Sequence, residues 1–259
     1  MLEIIPAIMP KDFNDLKDKV GLVYRQSKTI HIDAMNGSMT HSINWPFTKE
    51  GLEELEKIKT GELALPFWKE VDFEVDVMMD NPEDSMAEWV NAGFHRVILH
   101  MENMKKFSAV IKEWKDVIEL GLAVSVDTPN DEAYRYVDEG VDFLQFMGIY
   151  QIGFQGNPFD ARAIEKVKAA REVYPNLPIS VDGSVNLETA PQLIAAGANR
   201  LVIGSAIFNK KKEISSLGAF DISADAAFNV GNDLDVGNIY DKKDLSAEDA
   251  IKEFKKLGV

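Results

Sequence analysis

Cysteine is absent from the 259 residues, which excludes a disulfide framework, a thiolate-ligated metal and a thiol nucleophile. Histidine is sparse, four in all, so imidazole chemistry rests on His31, His41, His95 or His100. Positive charge is short: 28 Lys and Arg face 43 Asp and Glu, for a formal net charge of −15. Lys210-Lys211-Lys212 is the only sizeable basic run. With no basic stripe to meet phosphates, a nucleic-acid partner is not expected. No apolar run reaches membrane-spanning length and the first residues do not read as a signal peptide, so no membrane partner is expected either. The expectation is a soluble, cytoplasmic protein. Much of the acid lies among Lys and Glu on helix-patterned stretches and reads as a solvated outer surface, which assigns no function by itself.

What the chain has instead is alternation. Apolar, β-branched-rich stretches predict strands at residues 2–9, 29–34, 73–78, 96–101, 122–126, 143–147, 179–181 and 200–203. Helix-period stretches lie between and after them at 13–24, 48–59, 85–92, 107–119, 131–138, 161–173, 187–196 and 247–257. Ser246, three residues before Asp249, marks the start of the last helix, a weaker relative of the capping box. Right-handed helical crossovers between parallel strands, repeated in this way, predict an α/β fold, a single (β/α)8 TIM barrel over residues 1–259. A long connection, about 209–245, separates the eighth strand from the last helix. A loop of this length reads as a lid, an added element or an oligomer contact. Its Gly- and Asp-rich stretch, 229–237, does not match the ligand spacing of an EF-hand calcium loop.

Polar residues at the ends of apolar strands carry the functional signal. His31-Ile32-Asp33 lies in the second strand, Asp76 in Phe73-Glu-Val-Asp-Val-Met78, and Asp182 in Val181-Asp182-Gly183. In a barrel these strand ends share one face, so one His and three Asp converge on a pocket suited to a metal ion and proton transfer. His31 alone would read as a packed histidine. With Asp33 two residues on, both side chains share a strand face, which favours a ligand. His100 reads as a supporting or structural residue, and His41 and His95 as surface or packing residues. Asp127, after strand five, lies within reach of the pocket but belongs to no motif. Gly153 and Gly156 after strand six, Gly183-Ser184 after strand seven and Gly204-Ser205 after strand eight sit where barrels hold phosphate on backbone amides.

The segments Ile5-Pro-Ala-Ile8, His31-Ile-Asp-Ala-Met-Asn-Gly37, Phe73-Glu-Val-Asp-Val-Met78, His100-Met-Glu102, Gly153-Phe-Gln-Gly156, Val181-Asp-Gly183 and Gly204-Ser-Ala-Ile-Phe208 occur in the order and spacing of ribulose-phosphate 3-epimerases, which the chain resembles from its first strand to about Phe208 and again in its last helix. The resemblance implies metal-dependent epimerisation of a ketose phosphate at C3, with Asp33 and Asp182 as the two acid/base residues. It implies His31, Asp33, Asp182 and, where the family has a His, Asp76 as ligands of one divalent metal ion. Met35, Met78 and Met147 match the family's methionines around the enediolate, where a polarisable, aprotic wall excludes water. The physical demand is independent of the family. A proton beside a ketone needs charge stabilisation on oxygen, which a divalent cation supplies, and inversion needs an acid and a base on opposite faces.

The departures from the family concern the substrate. Ala7 stands for a Ser that contacts substrate, Asn36 for an Asp, Ser38 for a His and Ser184 for a second Gly. The loop 147–156 lacks the family's Asn-Pro-Gly turn. Asp76 in place of His adds negative charge, and three carboxylates with one imidazole suit a hard ion such as Mn2+ or Mg2+, with Zn2+ and Fe2+ as alternatives. Ribulose 5-phosphate is the expected small-molecule substrate, and allulose 6-phosphate is the close variant. A decarboxylase of the related phosphate-binding barrels would need Asp-x-Lys-x-x-Asp, and this chain has Asp33-Ala-Met35-Asn-Gly37. A Schiff-base aldolase would need a lysine at a strand end. A binding barrel without catalysis would not need two repelling carboxylates in one pocket. Association into a homo-oligomer is left open by analogy with other barrels.

Overall fold

The computed structural model describes residues 2–153, 157–208 and 245–258. Gly156 and residues 209–244 of the long connection lie outside the described residues. Eight parallel strands, β1 (Glu3–Ile8), β2 (Thr29–Met35), β3 (Asp72–Met78), β4 (Arg96–His100), β5 (Glu119–Val124), β6 (Phe143–Met147), β7 (Ile179–Asp182) and β8 (Arg200–Ile203), pair in sequence order and close into a barrel. Between and after them run α1 (Phe13–Val23), α2 (Lys49–Lys59), α3 (Met86–Asn91), α4 (Phe107–Trp114), α5 (Asn130–Glu139), α6 (Arg162–Val173), α7 (Ala190–Ala196), α8 (Ser205–Phe208) and α9 (Ala247–Lys255). This is the TIM barrel expected from the alternation. Among the described residues, no helix is long and apolar enough to cross a membrane.

Local chemistry sets the helix starts. Asp12, Thr48 and Ser246 cap α1, α2 and α9 by accepting from the backbone N–H of Asp15, Gly51 and Asp249, so each supplies a partner to an otherwise orphaned donor. The expected start of α7 at residue 187 falls instead in a turn, where the Asn186 carboxamide oxygen accepts from the Glu188 and Thr189 amides. Asn side chains compete with helical hydrogen bonding in this way.

The largest difference from expectation is around β5. The helix expected over 107–119 ends at Trp114, whose carbonyl accepts from the Val117 and Ile118 amides, and the strand begins at Glu119 rather than Leu122. Gly121 explains the location of the strand. A Cβ there would lie 2.3 Å from Phe143 Cζ and 2.9 Å from Ile98 Cγ1, so the absent side chain makes room for the Phe143 ring inside the barrel. Composition alone treats that glycine as a strand breaker. The strand also stops at Val124, two residues short of the expected end, and the next amide, Ser125 N–H, donates to the Glu102 carboxylate.

Alternation along each strand divides apolar from polar. Ile30, Ile32 and Ala34 of β2, Val75 and Val77 of β3, and Val97 and Leu99 of β4 face outward into the continuous core under the helices. Their neighbours face the barrel interior, which holds two small apolar clusters, Ile5/Ala7/Val202 and Ile98/Ala123/Phe143/Met147, alongside buried His31, Glu74, Asp76, His100, Gln145, Ser180 and Arg200. Register then determines which of these meet. His31 pairs with Glu74, Asp33 with Asp76, Met35 with Met78, Glu74 with Arg96, and Met147 with Asp182. In parallel pairing such partners point to the same face of the sheet.

Candidate active site

His31, Asp33, Asp76 and Asp182 come together at the C-terminal ends of β2, β3 and β7, with one ligand atom of each within 4.8 Å of all the others. Strand register supplies the Asp33–Asp76 neighbourhood directly, and barrel closure brings β7 across to them. His31 Nε2 faces this cluster, 3.4 Å from Asp33 Oδ1 and 4.0 Å from Asp76 Oδ2. It is buried and has no hydrogen-bond partner. A buried, unpartnered imidazole nitrogen among three carboxylates is the donor set that a divalent cation satisfies, since the cation also offsets the repulsion between the acids. His31, Asp33, Asp76 and Asp182 are thus the residues that can hold a metal ion.

Crowding of acids in a buried space displaces their protonation equilibria. Burial and the neighbouring Asp33 charge push the Asp182 carboxyl up to about 7. Burial also raises Asp33, opposed by its contact with His31. The His31 imidazole goes the other way from what burial dictates, because the adjacent Asp33 and Glu74 carboxylates hold its pKa well above the ordinary value. Two carboxyls with opposed neighbours, one held up near neutrality, meet the requirement for a proton donor and acceptor working in the same pH range.

A cavity of about 70 Å³ lies over this cluster. Asp33, Asp182, Ala7, Met78, Met147, Gly153, Gly183, Ser184, Gly204 and Ser205 line it, together with Met9, Ile149, Ile152, Val185 and Val202. Met35 is buried beside Met78 in register but does not line the cavity. Gly183 and Ser184 have consecutive positive φ angles, +105° and +53°. A side chain at Gly183 would meet Ile149 Cγ1 at 2.9 Å, so the loop admits only glycine there, while Ser184 is anchored by its hydroxyl donating to the Asn157 carbonyl. Among the described residues no lysine or arginine lines the cavity. Asp127 sits apart, paired with Arg162 at 2.6 Å on the surface, and His95 pairs with Asp72 at the opposite end of the barrel.

Several residues that shape the site were given no specific partner by the sequence. Glu74 Oε1 lies 2.8 Å from His31 Nδ1. Asp76 is held from two sides, by His100 Nε2 at 2.9 Å from Oδ1 and by the Gln145 amide donating to Oδ2 at 2.9 Å. Burial lowers His100, but the Asp76 charge outweighs it and the net direction is up. Beneath them, Arg200 and Arg96 reach the second oxygen of Glu74. The signal available for Glu74 was alternation: Thr29-Ile-His-Ile-Asp and Asp72-Phe-Glu-Val-Asp place polar residues at every second position, not only at strand ends.

Comparison with known proteins agrees with the geometry. A family model described as the Ribulose-phosphate 3 epimerase family matches residues 3–208. The chain belongs to that family. The match makes this barrel an isomerase of the carbohydrate-epimerase type. Among its relatives, the ribulose-phosphate 3-epimerase of Bacillus subtilis is 27% identical over 228 residues, covering 84% of this chain and 98% of the relative. That of Eremothecium gossypii is 28% identical over 237 residues, covering 85% and 97%. Similarity of fold reaches further. A solved 3-hexulose-6-phosphate synthase superposes with a TM-score of 0.57 at 18% identity, covering 80% of this chain and 92% of that one. The solved KGPDC from Streptococcus mutans gives 0.58 at 13%, covering 80% and 90%. These likenesses describe the barrel, while the epimerase family is shown by sequence.

Proposed function

We propose that the chain catalyses C3 epimerisation of a ketose phosphate, converting ribulose 5-phosphate to xylulose 5-phosphate, with Asp33 and Asp182 as the acid/base pair. The observation that carries this reading is the meeting of those two carboxyls with His31 and Asp76 under one cavity. His31, Asp33, Asp76 and Asp182 hold the divalent ion, which when bound supplies Lewis-acid stabilisation to negative charge developing on substrate oxygen. Mn2+ or Mg2+ suits the oxygen-rich set, with Zn2+ and Fe2+ as alternatives.

The chain's own residues perform the remaining work. One aspartate removes the C3 proton from one face of the substrate, and the other delivers a proton to the opposite face, giving the inverted centre. The reverse reaction exchanges the two roles. Met78 and Met147 form a wall with no exchangeable proton, which limits quenching of the enediolate by water. Gly183, Ser184, Gly204 and Ser205 receive the phosphate on backbone amides and the serine hydroxyls, and Gly153 flanks that end. Ala7, in place of a hydroxyl-bearing residue, leaves one wall apolar, and Met35 packs behind Met78. The substrate is a small molecule. The rice relative named as a cytoplasmic isoform supports a cytoplasmic setting.

The test is conversion followed by NMR, with ribulose 5-phosphate and allulose 6-phosphate supplied separately to the Mn2+-loaded protein and to protein treated with chelator. Chelator-sensitive formation of xylulose 5-phosphate supports the reading. Preference for allulose 6-phosphate, yielding fructose 6-phosphate, would reassign the substrate while keeping the chemistry. Conversion of neither would overturn it.

A further inference from the structure

Below the acidic cluster the barrel interior holds a buried charge network beside its apolar clusters. Glu74 is fully buried on β3, and its two carboxylate oxygens face opposite ways. Oε1 lies 2.8 Å from His31 Nδ1. Oε2 accepts from Arg200 Nη2 at 2.5 Å and Arg96 Nη1 at 3.3 Å. The arginines are fixed in turn: Arg96 Nε donates to Glu119 at 2.7 Å, Arg200 Nε lies 3.4 Å from Glu3, and the Arg200 guanidinium stacks 4.1 Å from the Phe143 ring centroid. Thr29 donates to Glu3 at 2.7 Å and closes the network.

We infer that Glu74 is a positioning residue for His31, fixing the ring with its proton on Nδ1 and its Nε2 turned into the acidic cluster, while Arg200 and Arg96 clamp Glu74. The inference rests on the reading of His31 as a metal ligand. An imidazole coordinates through a nitrogen that carries no proton, and the hydrogen bond at the other nitrogen decides which one that is. Glu74 is suited to the task because a carboxylate is an acceptor at both oxygens. One oxygen takes the arginine protons and the other takes the His31 Nδ1 proton, with no competition between them.

An amide cannot replace it. In Glu74→Gln the single oxygen is drawn to the two guanidinium groups, which can only donate, and the NH2 is left facing His31 Nδ1. Nδ1 must then accept, the ring proton moves to Nε2, and the nitrogen aimed at the cluster is blocked. The side chain keeps its size, so packing around it changes little.

The experiment measures Mn2+ binding calorimetrically to the full chain and to Glu74→Gln, with 15N NMR of the histidine rings in the Zn2+-loaded protein. The expected result is an affinity about 10–100-fold weaker in Glu74→Gln. In the unaltered protein NMR should find the His31 proton on Nδ1. Thermal unfolding of both forms checks that the variant is folded, and the NMR arm on the unaltered protein can refute the inference even if the variant is not. Equal Mn2+ affinity in a folded Glu74→Gln, or a Zn2+-loaded His31 with its proton on Nε2, would overturn this inference and leave the metal reading standing. Failure of the unaltered chain to bind either metal would overturn both.

Discussion

Asp76 and His100 face each other inside the barrel, with Oδ1 2.9 Å from Nε2 and both side chains fully excluded from solvent. Gln145 holds the other oxygen of Asp76, so the carboxylate is fixed between a ring on β4 and an amide on β6. Where the resemblance leads one to expect an imidazole, this chain has an acid with two buried neighbours.

Removing one of those partners should be costly. His100→Ala leaves a buried carboxylate oxygen without its counterpart, and the expected loss is about 2–3 kcal/mol in urea unfolding, with an unchanged denaturant slope. Mn2+ affinity should fall as well, because Asp76 loses its orientation. A loss below about 0.5 kcal/mol would show that Asp76 does not depend on His100.

Metal affinity should rise with pH. Asp182, held up to about 7, keeps a proton below neutrality that coordination must displace, and His31, raised well above its ordinary value, does the same. Calorimetry should therefore show Mn2+ binding strengthening as pH rises to about 7, with a shallower rise continuing above it from His31. In the metal-free chain the sign for stability is opposite. Both groups have folded pKa values above their unfolded ones, so their contribution is fully present below the unfolded pKa and is lost as pH rises through the folded pKa. Unfolding midpoints of the metal-free protein should thus fall across the window from about 4 to about 7 that Asp182 sets. A pH-independent affinity would contradict the proton assignments.

Glu74 contributes in the other direction at acid pH. Burial works against its charge, but Arg200, His31 and Arg96 bring its pKa down to about 2. A depressed carboxyl contributes stability above its unfolded pKa and loses it as pH falls through the folded value. Stability of the unaltered chain should fall as pH drops from about 4.5 to about 2 and level off below it, and Glu74→Gln should lack that component.

The barrel floor offers a packing test. Gly121→Ala would drive a methyl to within 2.3 Å of Phe143 Cζ, and overpacking of this kind costs about 1–3 kcal/mol. Combining it with Phe143→Leu should recover part of the loss, whereas simple additivity of the two would show that the close approach is not the cause.

The barrel was legible because outward-facing strand positions are almost all apolar, as in Ile30-His-Ile32 and Val75-Asp-Val77. The four cluster residues were legible because they interrupt apolar strands toward the same end of the barrel. Glu74, Gln145 and Arg200 were not, since a polar residue inside a barrel strand looks like a surface residue until register shows what it faces. Gly121 fell just outside the expected strand, and the ring it accommodates, Phe143, is on the next strand. His100 was recognised as supporting, but only the structure joins it to Asp76.

The most direct test of the central claim is solvent exchange. With Mn2+-loaded protein and ribulose 5-phosphate in D2O, deuterium should appear at C3 of substrate and product, and Asp33→Asn and Asp182→Asn should each slow conversion by about 100-fold or more. Conversion without deuterium at C3, or full activity in either variant, would contradict a two-carboxylate epimerisation.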